Sequence, residues 1–324
     1  MKRIFITLSA FLLLFNACET DFDVHADWKE TTVVYGLLDA SNSTQYIKIN
    51  KAYLGEGDAM MMAQYSDSIN FNPNDLEVKL HKLAFPDTLM SLILDTTLID
   101  KEDGLFPIDN NIIYKVSLPN NFLNSDNRYA ITIKNLRSGN FVSSNSEVIT
   151  NFNFQNFNSA YKFGFYNPLV ADTSKFLSKI IQWNQSENGL IYQLDVRFNY
   201  LENGDSNSLI WSQPLEIFEG SSMQSRLEGL KFFNFLSQNL TNDNNVVRQF
   251  LNLDLVMTVG TNNLNTYIQV NAPITGIVQQ RPQFTTISNG IGIFSSRYTH
   301  TEYNIGLTQD TRNYLVDELD RNFQ

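Results

Sequence analysis

The chain of 324 residues has one cysteine, Cys18, and three histidines. A single thiol excludes a disulfide framework and a cysteine-based zinc site. Three imidazoles leave little material for histidine chemistry. Charge is sparse, at 18% of residues, and acid outweighs base, 34 Asp and Glu against 23 Lys and Arg, for a net −11. A nucleic-acid binder needs a basic surface to displace counterions, so no nucleic-acid partner is expected. No period of 20–50 residues repeats, which argues against a solenoid or a propeller. The first apolar run, Ile4 to Phe15, is 12 residues long and is interrupted by Thr7 and Ser9. A membrane-spanning helix needs about 20 such residues. What remains is 43% hydrophobic, which excludes a disordered chain, with 24 Phe, 14 Tyr and 3 Trp. Aromatic side chains suit a pleated, half-buried surface. Together with many Asn, Ser and Thr, suited to turns, they point to a β-rich protein outside the cytoplasm.

The N-terminus reads as an export leader: basic Lys2 and Arg3, the short apolar run, then Asn16, Ala17 and Cys18. Residues 1–17 are expected to be a signal peptide. The lone cysteine at the cleavage point, preceded by Ala17, resembles the lipobox of bacterial lipoproteins. Phe15 and Asn16 depart from the usual aliphatic and small residues there. The resemblance implies that Cys18 becomes the lipidated first residue of the mature chain; ordinary secretion and an uncleaved anchor are the alternatives. Two or more acyl chains hold a protein firmly at a bilayer. Losing residues 1–17 removes Lys2 and Arg3 and leaves 21 basic against 34 acidic side chains, a charge of −13. Such a body is repelled by anionic headgroups. Residues 18–26, opening Glu19-Thr20-Asp21-Phe22-Asp23, form either a solvated acidic tether or a surface-export signal.

From residue 27 to 150 the pattern is one of short strands. Apolar Val33, Tyr35 and Leu37 alternate with Thr32, Val34 and Gly36; Ile47 and Ile49, Leu76 to Leu80, Ile113 to Leu118, and Tyr129, Ile131 and Ile133 follow. Period-two alternation marks antiparallel strands packed on one side. Tyr129 opens its strand six residues after Leu123. That spacing resembles the tyrosine corner of immunoglobulin- and fibronectin-like sandwiches; a tyrosine that merely starts a strand is the alternative. Residues 151–158, rich in Asn and Phe, are expected to be a linker. Residues 159–324 read as a second, antiparallel β domain with two or more helices. Trp183 and the Tyr192 to Phe198 strand flank a turn at Glu187-Asn188-Gly189, and a second turn falls at Glu202 to Asp205. Leu227, Leu230, Phe233, Leu236 and Leu240 recur at three- and four-residue steps, predicting a helix over 222–240. Further helices are expected over 262–270 and, capped by Thr308, over 309–322, with strands at 250–259 and 291–303.

Chemistry-bearing motifs are few. Gly290-Ile291-Gly292 lacks the rest of a phosphate-cradling turn. His300 and Glu302 share one strand face, which is either the start of a metal site or a polar face exposed to water. His81 falls on a solvent face and His25 in the tether. Asp100 to Gly104 is acidic but broken by Lys101, so it reads as a surface turn rather than a calcium loop. The loop from Ala52 to Asp75 is long and carries Met60, Met61 and Met62. Long loops in compact domains are often functional and Met adapts to irregular partners. It is either a partner-contacting loop or a short helix over a sheet edge. No catalytic residues, cofactor or metal ligands are predicted.

Several stretches together resemble an uncharacterised family of Bacteroidetes outer-membrane lipoproteins, a domain of unknown function. They are the lipobox-like Cys18, Val33 to Leu38, Tyr46 to Gly57, and Ile287 to Phe294. The resemblance implies an outer-membrane, lipid-anchored location, exposed at the cell surface or facing inward, and a role beside a TonB-dependent transporter. It carries no catalytic residues. The expectation is a non-enzymatic binding or accessory protein. A cell-surface glycan- or peptide-processing hydrolase and a structural or adhesion module are the alternatives.

Overall fold

The structure, a computed structural model, describes residues 31–52, 61, 65–100, 111–155, 157–158, 160–218, 220, 223–243, 245–273 and 282–324. The protein is mainly β, with 49% of residues in strands. Among the described residues the strands of the first half are β1 (Thr32–Asp39), β2 (Thr44–Lys51), β3 (Leu76–Ala84), β4 (Asp87–Ile93), β5 (Asp95–Leu98), β6 (Ile112–Ser117), β7 (Arg128–Asn135) and β8 (Phe141–Ser146). They form two facing sheets, ordered β1-β2-β6-β5 and β4-β3-β7-β8. That is the immunoglobulin-like order, with an added strand beside the third. Val78, Leu80, Ile131, Ile133, Ile47 and Ile49 alternate inward from both sheets and are buried. Each such side chain contributes roughly 1.5–3 kcal/mol.

Tyr129, the second residue of β7, makes the tyrosine corner. Its hydroxyl donates to the Phe122 carbonyl at 2.7 Å and accepts from the Asn124 amide at 2.8 Å. The bonds fix the loop that enters the strand. β1 differs from its expected orientation. Val34, Gly36 and Leu38 face the core, while Tyr35 points outward and is 46% exposed. β1 is apolar on both faces, so alternation alone could not choose between them.

The second half adds β9 (Phe154–Gln155), β10 (Ser178–Trp183), β11 (Ile191–Glu202), β12 (Asp205–Ser212), β13 (Glu216–Ile217), β14 (Met223–Glu228), β15 (Arg248–Gly260) and β16 (Gly290–Ile305). One layer is β12-β11-β15-β16; the other is β14-β10-β9. Helices Gly229–Asn239 and Gln309–Asp317 complete the second core through Phe232, Phe233, Leu236 and Leu315. The hairpin β11–β12 turns at Asn203 and Gly204, both at positive φ, as its Asn-Gly sequence dictates.

Further expectations are corrected. Residues 223–228 are not helical: they form β14, paired with β10, and the helix starts at Gly229. A Cβ at Gly229 would lie 2.3 Å from the Phe165 carbonyl oxygen and 2.7 Å from that of Leu177, so glycine alone lets the helix begin against those two segments. The buried helix face is Phe232, Phe233 and Leu236, with Leu230 outside it. The last helix ends at Asp317; Leu319 and Phe323 reach the core from the chain beyond it. The stretch 151–158, expected as a linker, contributes Phe152 to the second core and pairs β9 with β10.

The two cores divide between Val148 and Ile149, except that Ile287 and Phe294 pack into the first core. The exception follows from the topology. β1 pairs in parallel with β16, from Thr32 opposite Gly290 to Asp39 opposite Arg297. One nine-stranded sheet therefore runs through both halves. At this seam Gly292 has a φ of +113°, and a Cβ there would lie 2.0 Å from the Val34 carbonyl oxygen. Only glycine fits. Buried hydroxyls reinforce the seam. Ser296 Oγ accepts from the Ile149 amide at 3.1 Å, and Ser295 Oγ lies 2.6 Å from Thr261 Oγ1.

Candidate functional site

The sheet shared by both halves has an inner face that supplies the two cores and an outer face of mixed polar side chains. Helix Asn262–Asn271 contacts β16, and its Tyr267 meets outward-facing Tyr35 edge-to-face at 6.5 Å. Burial, then the hydrogen bond to Tyr35, pushes the Tyr267 hydroxyl up to about 12. Farther along, on β11, β15 and β16, Asp254 is buried and satisfied. It accepts from Asn199 Nδ2 at 2.8 Å and from the Asn304 amide at 3.1 Å, with Arg197 Nη1 at 3.8 Å.

Between these regions, where β1 ends, lies a groove of about 500 Å³ lined by Leu37, Asp39, Thr44, Tyr46 and Arg297. Asp39 and Arg297 are register partners on the last rung of the seam, with Nε 3.4 Å from Oδ2. The Asp39 side chain is 7% exposed and that of Arg297 49%. Oδ1 of Asp39 accepts from the amide and hydroxyl of Ser41. Gln45 clamps the same backbone, accepting from the Asp39 amide at 2.8 Å and donating to its carbonyl at 2.9 Å. The groove thus combines a fixed acceptor, a half-exposed guanidinium paired with it and a half-exposed tyrosine ring. It is equipped to bind by hydrogen bonding and stacking.

A second cleft, of about 380 Å³, also takes residues from both halves. Arg128 and Glu147 pair there at 2.6 Å, opposite Asn188 and Asn262. A third cavity, of about 820 Å³, lies beside Lys51, Arg137 and the described end of the long loop. In that loop Ser66–Ile69 is a short helix, held by Asn50 Nδ2 on the Ile69 carbonyl at 2.9 Å. Met61 is 61% exposed. Met60, Met62, Cys18, His25 and Lys101 to Gly104 lie outside the described residues.

His300 Nε2 lies 3.0 Å from Glu302 Oε1, so the pair satisfies itself. Phe152 and Phe154 rings stand 5.7 and 5.9 Å from the imidazole. Both side chains lie on the face of β16 shared with buried Met257 and Leu255, their register partners on β15. Among the described residues no group of three His, Cys, Asp or Glu could hold a metal ion. His81 bonds Ser91 Oγ at 2.7 Å and Thr132 Oγ1 at 2.8 Å. Burial, then Lys79, holds it below the usual imidazole range. Gly290 to Gly292 opens β16 rather than a helix, so its amides serve the seam instead of a phosphate.

The site residues that sequence reasoning missed are Asp39, Tyr46 and Arg297. Asp39 followed by Ala-Ser-Asn-Ser marks a strand end and turn, but nothing in the sequence joins it to Arg297. No family model matches the chain, and no curated protein matches it.

Proposed function

We propose that this chain is a lipid-anchored outer-membrane protein of the Bacteroidetes lipoprotein type. Its role is non-enzymatic binding, or accessory action beside a TonB-dependent transporter. The observation that carries the reading is the basic and apolar run of residues 1–17 set directly before Cys18, the one thiol of the chain. Acylated there, the protein needs no membrane-binding surface of its own, and its net negative body stands off the headgroups. The two motif stretches Val33 to Leu38 and Ile287 to Phe294 add support, because they meet as β1 and β16 and build the seam. A motif that holds two halves together is expected of a family that shares the whole body. A hydrolase reading draws no comparable support: the His300–Glu302 pair satisfies itself beside two phenylalanine rings.

Cys18→Ala tests the anchor. The wild-type chain should sediment with membranes after high-salt washing and the variant should not. A variant that still sediments removes the anchor. Crosslinking in intact cells then tests the accessory role: an integral outer-membrane protein should be captured reproducibly, and capture of none removes that role.

A further inference from the structure

The groove at the end of the seam exists because β1 and β16 differ in length. β1 stops at Asp39 and the chain turns back through Ala40 to Ser43, while β16 continues from Arg297 to Ile305. Arg297 turns its Nε to buried Asp39, and its Nη1 and Nη2 make no bond among the described residues. A guanidinium paired through Nε still offers the donors of Nη1 and Nη2 as a planar fork. Asp39 Oδ2 faces Arg297 and keeps acceptor capacity, since Ser41 occupies Oδ1. Tyr46, 49% exposed, and Leu37 supply apolar surface in the same groove.

Charge and solvation narrow the occupant. The Asp39–Arg297 pair is neutral as a unit, and every other lining side chain is uncharged. An anionic ligand meets no net attraction there and is repelled by a chain carrying −11. An apolar ligand would cover the guanidinium fork and leave it unpaired, which is costly. The remaining class is uncharged, carries adjacent hydroxyls and has one C–H face. The geometry points to a sugar-binding groove. One hydroxyl of a neutral sugar ring accepts from the Arg297 fork, its neighbour donates to Asp39, and the C–H face of the ring stacks on Tyr46.

This deepens the binding reading above and rests on it only in treating the body as a binder; the lipid anchor plays no part. The test uses the full mature chain in detergent on an array of maltohexaose, cellohexaose, xylohexaose and mannohexaose. Tri-galacturonic acid serves as the acidic counterpart, and titration calorimetry follows on each neutral sugar retained. At least one neutral oligosaccharide should bind. Tyr46→Ala and Arg297→Ala should each weaken it roughly tenfold or more, and Tyr46→Phe, which keeps the ring, should stay within about threefold. Both side chains are half-exposed, so the variants should fold, as checked by an unchanged circular dichroism spectrum and a cooperative thermal transition. Binding to none of the neutral sugars, binding to tri-galacturonic acid alone, or sugar binding indifferent to both alanine variants overturns the inference. A chain that binds no sugar yet sediments with membranes and crosslinks to an outer-membrane protein sinks the groove and leaves the binding reading standing.

Discussion

Tyr129 and Tyr192 each stand second in a long strand, one in each half, and each reaches back to the loop before it. Tyr129 makes two close backbone bonds, to Phe122 and Asn124. Tyr192 makes one, accepting from the Ser186 amide at 2.8 Å. The halves differ more sharply in what else holds them. The first is a sandwich of two four-stranded faces whose core is mainly apolar, with Gln45, Ser144 and Ser146 buried on the inward positions of their strands. The second gathers distant pieces: a hairpin, the segment after helix Gly229–Asn239 and the C-terminal tail. They converge on Arg248, the one buried cation among the described residues. Its Nε donates to Glu202 at 2.8 Å, its Nη1 to the carbonyls of Thr241 and Arg321 at 3.0 and 2.9 Å, and its Nη2 to Thr241 Oγ1 at 2.9 Å. The Arg248 backbone also pairs with the tail at Phe323. Where neighbouring strands close a layer, ladders and apolar packing suffice. Where segments far apart in sequence must meet, a polar clamp gathers them.

Four substitutions break or sharpen that contrast. Gly292→Ala strikes what the halves share. It places a Cβ against the Val34 carbonyl at a φ of +113°, at a cost of about 4 kcal/mol or more. Urea unfolding should separate into two transitions; one transition at the wild-type midpoint would show that the seam does not couple the halves. Arg248→Ala should cost about 3–5 kcal/mol, because it leaves Glu202 and two carbonyls without their donor. The loss should appear first in tryptophan fluorescence, since Trp183 and Trp211 both lie in the second core. A change below about 1 kcal/mol would mean that the tail docks without the clamp. The smallest effect is graded between the hooks. Tyr129→Phe should cost about 2 kcal/mol and Tyr192→Phe about 1 kcal/mol, as two lost bonds against one. Equal urea midpoints for the two variants would show that bond count does not set their strength.

Strand identity was legible wherever one face was apolar and the other polar, as in Leu76 to Leu80 and Tyr192 to Phe198. The tyrosine corner was legible because it is local: Tyr129 and its partners lie within seven residues. The facing of β1 was not, because Tyr35 and Val34 both look like core residues. Leu227 fits the strand period of β14 as well as the helical stripe that follows it, so the helix start was decided by Gly229 and its packing rather than by periodicity. The pairing of β1 with β16 joins opposite ends of the chain, and no local pattern specifies it. The candidate groove depends on that pairing and was hidden for the same reason. Asp39 and Arg297 are unremarkable in sequence and become a pair only on the last rung.

β1 also sets a direction. The strand starts at Thr32 and runs for eight residues, and the groove opens beside its last residue, Asp39. At about 3.3 Å per residue, some 25 Å separates the two ends. The groove thus occupies the end of β1 opposite the one at which the strand begins. Under the proposed Cys18 anchor, a pull transmitted through Thr31 acts on the far end of β1 and would turn the groove away from the lipid, toward whatever diffuses past.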